Sequence, residues 1–124
     1  MGVDFTHCDA RWAYSGFNRF RGRLAAACGA KWDGVMVWFS HEKKPTDAEN
    51  EAEWNKVIDH PIYPLLNHSD CDGHLTPDEC VSVAKGIDMI VKNWPPDDYD
   101  RIKAEQLRDG CLAAAAAKEN LEFH

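Results

Sequence analysis

The chain of 124 residues lacks a long apolar run, since no stretch approaches the roughly 18 residues of a membrane-spanning helix. It also lacks the basic and apolar segments of a secretory signal peptide at its start, so we expect a cytoplasmic protein without membrane contact. Its five cysteines are an odd number, which argues against a disulfide framework and favours a reducing compartment. Without internal repeats or a long linker, the sequence predicts one domain over residues 1–124.

Acidic residues are absent between Ala10 and Trp32, although the whole chain has a net charge of −7. That segment holds five basic residues, so the remainder holds nine basic and 21 acidic residues and has a net charge of −12. An acidic body argues against general nucleic-acid binding, because such binding depends on neutralising phosphates. We expect the basic segment either to dock on the acidic remainder or to hold a small anion.

Helical periodicity predicts a mainly α fold of about four helices, with a short two-strand pairing. Residues 1–14 are poorly periodic and are expected to form an N-terminal arm or a strand. Ser15 then offers an N-cap to a first helix that runs to about Ala27 and stops at Gly29. One face of this helix is apolar, with Arg21 at its edge, and holds Phe17, Phe20, Leu24, Ala27 and Cys28. Thr46 or Asp47, in the polar stretch from Lys43 to Asn50, is expected to cap a short helix toward Ile58.

Capping signals predict the helices of the second half of the chain. Residues 76–79 form a capping box with proline at the first helical position, and Pro95 ends the helix that follows. The apolar face of that helix runs from Cys80 to Trp94. An alanine-rich last helix is expected from about Asp98 to Lys118. Residues 121–123 are expected to pack back as a short strand.

Residues 68–79 match the twelve-residue loop of an EF-hand calcium site. Carboxylates stand at loop positions three and five, glycine at six, an aliphatic residue at eight and glutamate at twelve. Calcium prefers such an oxygen cage. The candidate ligands are His68, Asp70, Asp72, His74 through its carbonyl, Thr76 and Glu79. Position one is histidine where aspartate is usual, which removes a ligand and a negative charge and predicts weak affinity.

Three other interpretations of this loop stay open. It can be a metal-free turn, since Glu79 also completes the capping box and aspartate followed by glycine is ordinary turn chemistry. It can bind zinc through two imidazoles and two thiols, although this spacing is not a common finger pattern and ranks below calcium. These groups belong to His68, Cys71, His74 and Cys80. It also resembles the first metal-binding motif of the DHH phosphoesterases, which are longer and need further motifs.

Two sequence blocks carry a resemblance to a protein family. Residues 12–21 read W-x-Y-S-G-F-x-x-F-R, and residues 64–73 read P-L-L-N-H-S-D-C-D-G. These blocks, with the closing Leu-Glu-Phe of residues 121–123, are similar to those of small proteins from actinobacteria and their phages. The resemblance spans most of the chain except the divergent stretch 31–62, and that group has no established activity. It implies a phage-related context and a deliberate histidine at loop position one.

Two binding functions fit these features. The first is a small metal-binding module whose loop fixes the junction between helices. Pro61 and Pro64 shorten the helix that enters the loop, which argues against the motion of a calcium sensor. The second is an effector that binds a host protein or a small anionic ligand such as a nucleotide, through guanidinium and aromatic groups. Its candidate ligand-binding residues are Trp12, Tyr14, Arg19, Arg21 and Arg23.

An enzymatic function is the third alternative. A metal-dependent hydrolase would use His68 or His7 with Asp70 and Asp72, because histidine has a suitable pKa for proton transfer. The sequence offers no further nucleophile, base and oxyanion set, so we expect binding rather than catalysis. It does not indicate an oligomeric state.

Overall fold

A computed structural model describes residues 2–30, 47–68 and 73–123, and it confirms a mainly α fold with short strand pairings. Five helices lie in these ranges, where about four were expected, because α3 is a single turn. The helices are α1 Tyr14–Ala27, α2 Asp47–Asn55, α3 Tyr63–Leu66, α4 Pro77–Val91 and α5 Tyr99–Ala117. The strands are β1 Gly2–Asp4, β2 Arg11–Ala13, β3 His74–Leu75 and β4 Leu121–Glu122. No helix within the described ranges is long and apolar enough to cross a membrane.

Pairing between short strands brings the two ends of the chain side by side. β1 pairs antiparallel with β2, and β3 pairs antiparallel with β4, as the expected tail strand requires. A bridge between Phe5 and Phe123 joins the two pairs, and the Thr6 amide donates to the Glu122 carbonyl at 3.0 Å. The N-terminal hairpin therefore lies beside the strand that contacts the loop.

Helix α1 begins at Tyr14, so the predicted N-cap at Ser15 is wrong. The N-cap position is Ala13, whose side chain cannot accept a hydrogen bond. β2 runs directly into the helix, so its pairing with β1 sets the first turn. Gly29 adopts a φ of +87° after the last turn, and its amide donates to the Ala26 carbonyl, as expected for a glycine stop.

Helices α4 and α5 pack against each other, and other segments of the chain pack on this pair. The predicted apolar face of α4 is buried, and α5 presents mostly small residues to the core. Two helical glycines allow close approach. A Cβ at Gly86 would lie 2.6 Å from the Ile62 amide nitrogen, and one at Gly110 would lie 2.3 Å from the Cys8 Cβ. The segment before the loop and the N-terminal turn therefore rest directly on this helix pair.

The apolar face of α1 differs from the expected one at both edges. Phe17, Phe20 and Leu24 are fully buried as predicted, whereas Ala27 is exposed at the end of the helix. Arg21 was expected at the edge of this face, yet it is 1% exposed. A buried charged side chain needs polar partners, and two partners of Arg21 are the carbonyl groups of Leu65 in α3 and of His68 at the start of the loop.

Candidate functional site

The second half of the loop, from Gly73 to Glu79, shares two features with an EF-hand loop. Gly73 has a φ of +97°, a left-handed conformation that glycine adopts without a Cβ clash. Leu75 at position eight is fully buried and pairs with Leu121 of β4. The loop is therefore anchored to the core on the side that leads into α4.

A capping box fixes the glutamate at loop position twelve. The Thr76 hydroxyl accepts from the Glu79 amide at 3.2 Å, and the Glu79 Oε1 accepts from the Thr76 amide at 2.9 Å. These bonds satisfy amides that the first turn of α4 leaves without helical partners. A carboxylate has two oxygens with several lone pairs, so this cap is compatible with a cation contact by the same side chain.

The imidazole of His68 joins the first residue of the loop to its second half. Its Nε2 lies 3.0 Å from the His74 carbonyl oxygen, and since a carbonyl only accepts, Nε2 carries the hydrogen. The ring stacks on Phe123 at a centroid distance of 3.9 Å. A Cβ at Gly73 would lie 3.1 Å from the His68 Cε1, so glycine also gives this ring its space. A cation and His68 would compete for the His74 carbonyl, because that carbonyl would be the ligand at position seven of an EF-hand loop.

The buried Arg21 supports the start of the loop. Its Nη1 donates to the His68 carbonyl at 2.5 Å and to the Leu65 carbonyl at 3.5 Å. Its guanidinium also lies 4.9 Å from the centre of the Phe17 ring. A guanidinium is therefore buried beside the start of the loop.

Two residues at this site had no assigned role there from sequence: Phe123, which stacks on His68, and Arg21, which was a candidate anion ligand. The sequence contains a signal for Arg21, because this charged residue stands at the edge of an otherwise apolar face of α1. Phe123 gave no local signal, since 55 residues separate it from His68. Asp70 and Asp72, two of the predicted metal ligands, lie outside the described residues.

The described zinc candidates, His68, His74 and Cys80, do not form a metal site. His74 is exposed, whereas Cys80 is fully buried and its thiol donates to the Leu75 carbonyl at 3.8 Å. Cys71 lies outside the described ranges. Among the side chains that the structure places, no group of three His, Cys, Asp or Glu residues is arranged to hold a metal ion. An assembled site would therefore need residues of the segment 69–72.

His7, the other histidine of the hydrolase hypothesis, lies in the turn between β1 and β2. Its Nε2 is 2.9 Å from the Glu119 carboxylate, and its Nδ1 is 2.8 Å from the Thr6 hydroxyl. Its φ of +69° is uncommon for a residue with a side chain. These bonds hold the hairpin turn against the end of α5.

The five candidate anion-binding residues do not share one surface. Arg23 makes two hydrogen bonds to Asp98, at 2.9 and 3.1 Å, and one to Asp100 at 2.9 Å, and it stacks over Trp94. The guanidinium lowers the pKa of the Asp98 carboxyl. Arg23 thus docks the basic segment onto the acidic start of α5, one of the two arrangements that the charge pattern predicts.

The other members of this set are dispersed. Trp12 is buried, and its indole N–H donates to Asp100 at 3.3 Å. Arg19 is exposed and Tyr14 is half-buried, whereas Arg21 lies beneath the loop.

Comparison with protein-family models, with curated proteins and with solved structures finds no match for this chain. We therefore infer its function from the chemistry of its own residues.

Proposed function

We propose that residues 68–79 bind one hard divalent cation, with calcium as the first choice, and that the protein is a small binding module. The supporting observation is the geometry of residues 73–79, which combine a left-handed glycine, a buried aliphatic residue in a strand and a capped glutamate. These are the features that a calcium loop needs after its fifth position. The proposed ligands are Asp70, Asp72, the His74 carbonyl, Thr76 through a water molecule, and Glu79.

The cation would act as a structural clamp rather than as a switch. It would tie the loop to the start of α4, because Glu79 is both the last ligand and the cap of that helix. The helix before the loop is a single turn that contains Pro64, so there is no long entering helix to reorient. We place this module in the cytoplasm and in a phage-related context, on the grounds of its odd cysteine count and its two sequence blocks.

Two features make the proposed affinity weak. Position one lacks a carboxylate, and His68 already donates to the His74 carbonyl. A dissociation constant on the order of 10⁻⁴ to 10⁻³ M is expected, which is the range of the weakest natural calcium modules.

A calcium titration followed by amide NMR spectra tests this proposal, because such spectra report weak binding residue by residue. We expect saturable shifts of the amides of residues 73–79 in the wild type. Glu79→Gln should abolish them while keeping the fold, since glutamine preserves the capping box but removes the charged ligand. Asp70→Asn is the second loss-of-ligand variant, and Asp109→Asn, on the exposed surface of α5, is the charge-matched control.

Two results would overturn the proposal. One is the absence of any saturable shift at millimolar calcium. The other is a set of shifts that Glu79→Gln and Asp109→Asn reduce equally, because that would indicate general attraction of cations to an acidic protein.

A further inference from the structure

A cleft lies between the N-terminal hairpin and the start of α5. It has a volume of about 350 Å³ and is lined by Gly2, Arg11, Trp12, Ala13, Tyr99 and Lys103. Clefts of roughly 300 Å³ and above accommodate small organic ligands.

Two basic side chains, those of Arg11 and Lys103, line this cleft in a protein whose net charge is −7. Arg11 pairs with Asp4 through its Nε at 3.2 Å, its side chain is 75% exposed, and a guanidinium has further N–H groups for a ligand. The Lys103 ammonium donates to the Arg11 carbonyl, which uses one of its three N–H groups. The cleft thus presents several charge-assisted donors to an anion.

Aromatic rings surround the same ammonium. The Lys103 Nζ lies 4.7 Å from the centre of the Tyr99 ring and 5.5 Å from that of Trp12. The Trp12 ring is fixed, because its N–H donates to Asp100 and its face stacks on Phe20 at 4.7 Å. Tyr99 is 68% exposed, so a large part of its ring is available to a flat ligand. The nearby Asp100 carboxylate is paired with Arg23, which reduces its repulsion of an anion.

We propose that this cleft binds a small anion that carries a flat ring, with a nucleoside monophosphate as the probe. Its phosphate would be bound by Lys103 and Arg11, and its base would stack on Tyr99. This site shares only Trp12 with the anion-binding set expected from sequence, because β1–β2 pairing and α5 bring distant residues together. It is separate from the loop of residues 68–79.

The test is a titration of the full chain in EDTA with each nucleoside monophosphate, the matching nucleosides and inorganic phosphate, followed by amide NMR spectra. EDTA removes hard cations, so the outcome does not depend on the loop. We expect saturable shifts at residues 11–13 and 99–103. Lys103→Gln should weaken monophosphate binding at least about tenfold, the effect of losing a charge-assisted contact.

Arg19→Gln is the matched control, because it removes one positive charge from an exposed position of α1 that does not line the cleft. Tyr99→Leu should weaken nucleotide binding but leave the weaker binding of inorganic phosphate unchanged. The proposal is overturned by the absence of saturable shifts, by equal effects of Lys103→Gln and Arg19→Gln, or by nucleotide binding no tighter than that of phosphate.

Discussion

Replacing His68 with aspartate should lower the stability of the cation-free protein and raise its affinity for calcium. His68 occupies the loop position at which a calcium site usually has a carboxylate ligand. The substitution removes the hydrogen bond to the His74 carbonyl and the stacking on Phe123. A net hydrogen bond contributes about 1 kcal/mol and an aromatic pair about 0.5–1.5 kcal/mol. In EDTA, the free energy of unfolding should therefore fall by about 2 kcal/mol.

Calcium should reverse this loss. Aspartate restores the full ligand set and leaves the His74 carbonyl to the ion, so we expect a dissociation constant on the order of 10⁻⁵ M, at the weak end of calcium sensors. Calcium at about 1 mM would then stabilise the variant by about 2.7 kcal/mol, against about 0.4–1.4 kcal/mol for the wild type. The two proteins should become nearly equal in stability.

Urea unfolding followed by circular dichroism, in EDTA and in calcium, measures both effects. His74→Asp is the matched control, because it adds the same charge at an exposed side chain whose position contributes only its carbonyl. Equal calcium stabilisation of His68→Asp and His74→Asp would show that a carboxylate at position 68 is not a calcium ligand. The absence of any calcium stabilisation of His68→Asp would show the same.

Phe123→Ala should lower the free energy of unfolding by about 3–5 kcal/mol in urea, because its ring is 3% exposed; a loss below about 1 kcal/mol would count against its role. His60→Asn should flatten the dependence of stability on pH. Burial lowers the pKa of His60, whose Nδ1 accepts from the Ile62 amide at 3.0 Å. The stability of the wild type should therefore fall as the pH drops below about 6.5, and it should level off once the imidazole is protonated in the folded state. Asparagine keeps an acceptor, and an unchanged pH profile would contradict this account. Thiol labelling mapped by mass spectrometry should be far slower at Cys111 than at the half-buried Cys28, because the Cys80 thiol and burial raise the pKa of Cys111; equal rates would contradict this.

Local signals were sufficient to predict the two long helices in the second half of the chain, α4 and α5. The helix after the loop was predicted from its capping box, its proline at the first position and its apolar face, all of which lie within α4. The last helix starts after Asp98 as expected, because that side chain accepts from the amides of Asp100 and Arg101. Helix caps and periodicity depend on neighbours in sequence, which is why they can be read without tertiary structure.

Nonlocal contacts account for what the sequence did not predict. The start of α1 depends on the pairing of β1 with β2 rather than on Ser15. At the loop, residue spacing indicated the candidate ligands, but the stacking of His68 on Phe123 joins residues that are far apart in the chain. The burial of Arg21 likewise depends on carbonyl groups that α3 and the loop supply from a distance.

Elemental analysis after dialysis distinguishes a calcium site in the loop from a zinc site and from a loop without metal. The wild type, His68→Asp and Glu79→Gln would be dialysed together against calcium, magnesium and zinc, each at a few millimolar, and the metal bound per chain would be measured. Our account predicts close to one calcium ion per chain in the wild type and in His68→Asp, with little in Glu79→Gln. One zinc ion per chain in all three proteins, or no calcium above background in the wild type, would contradict it.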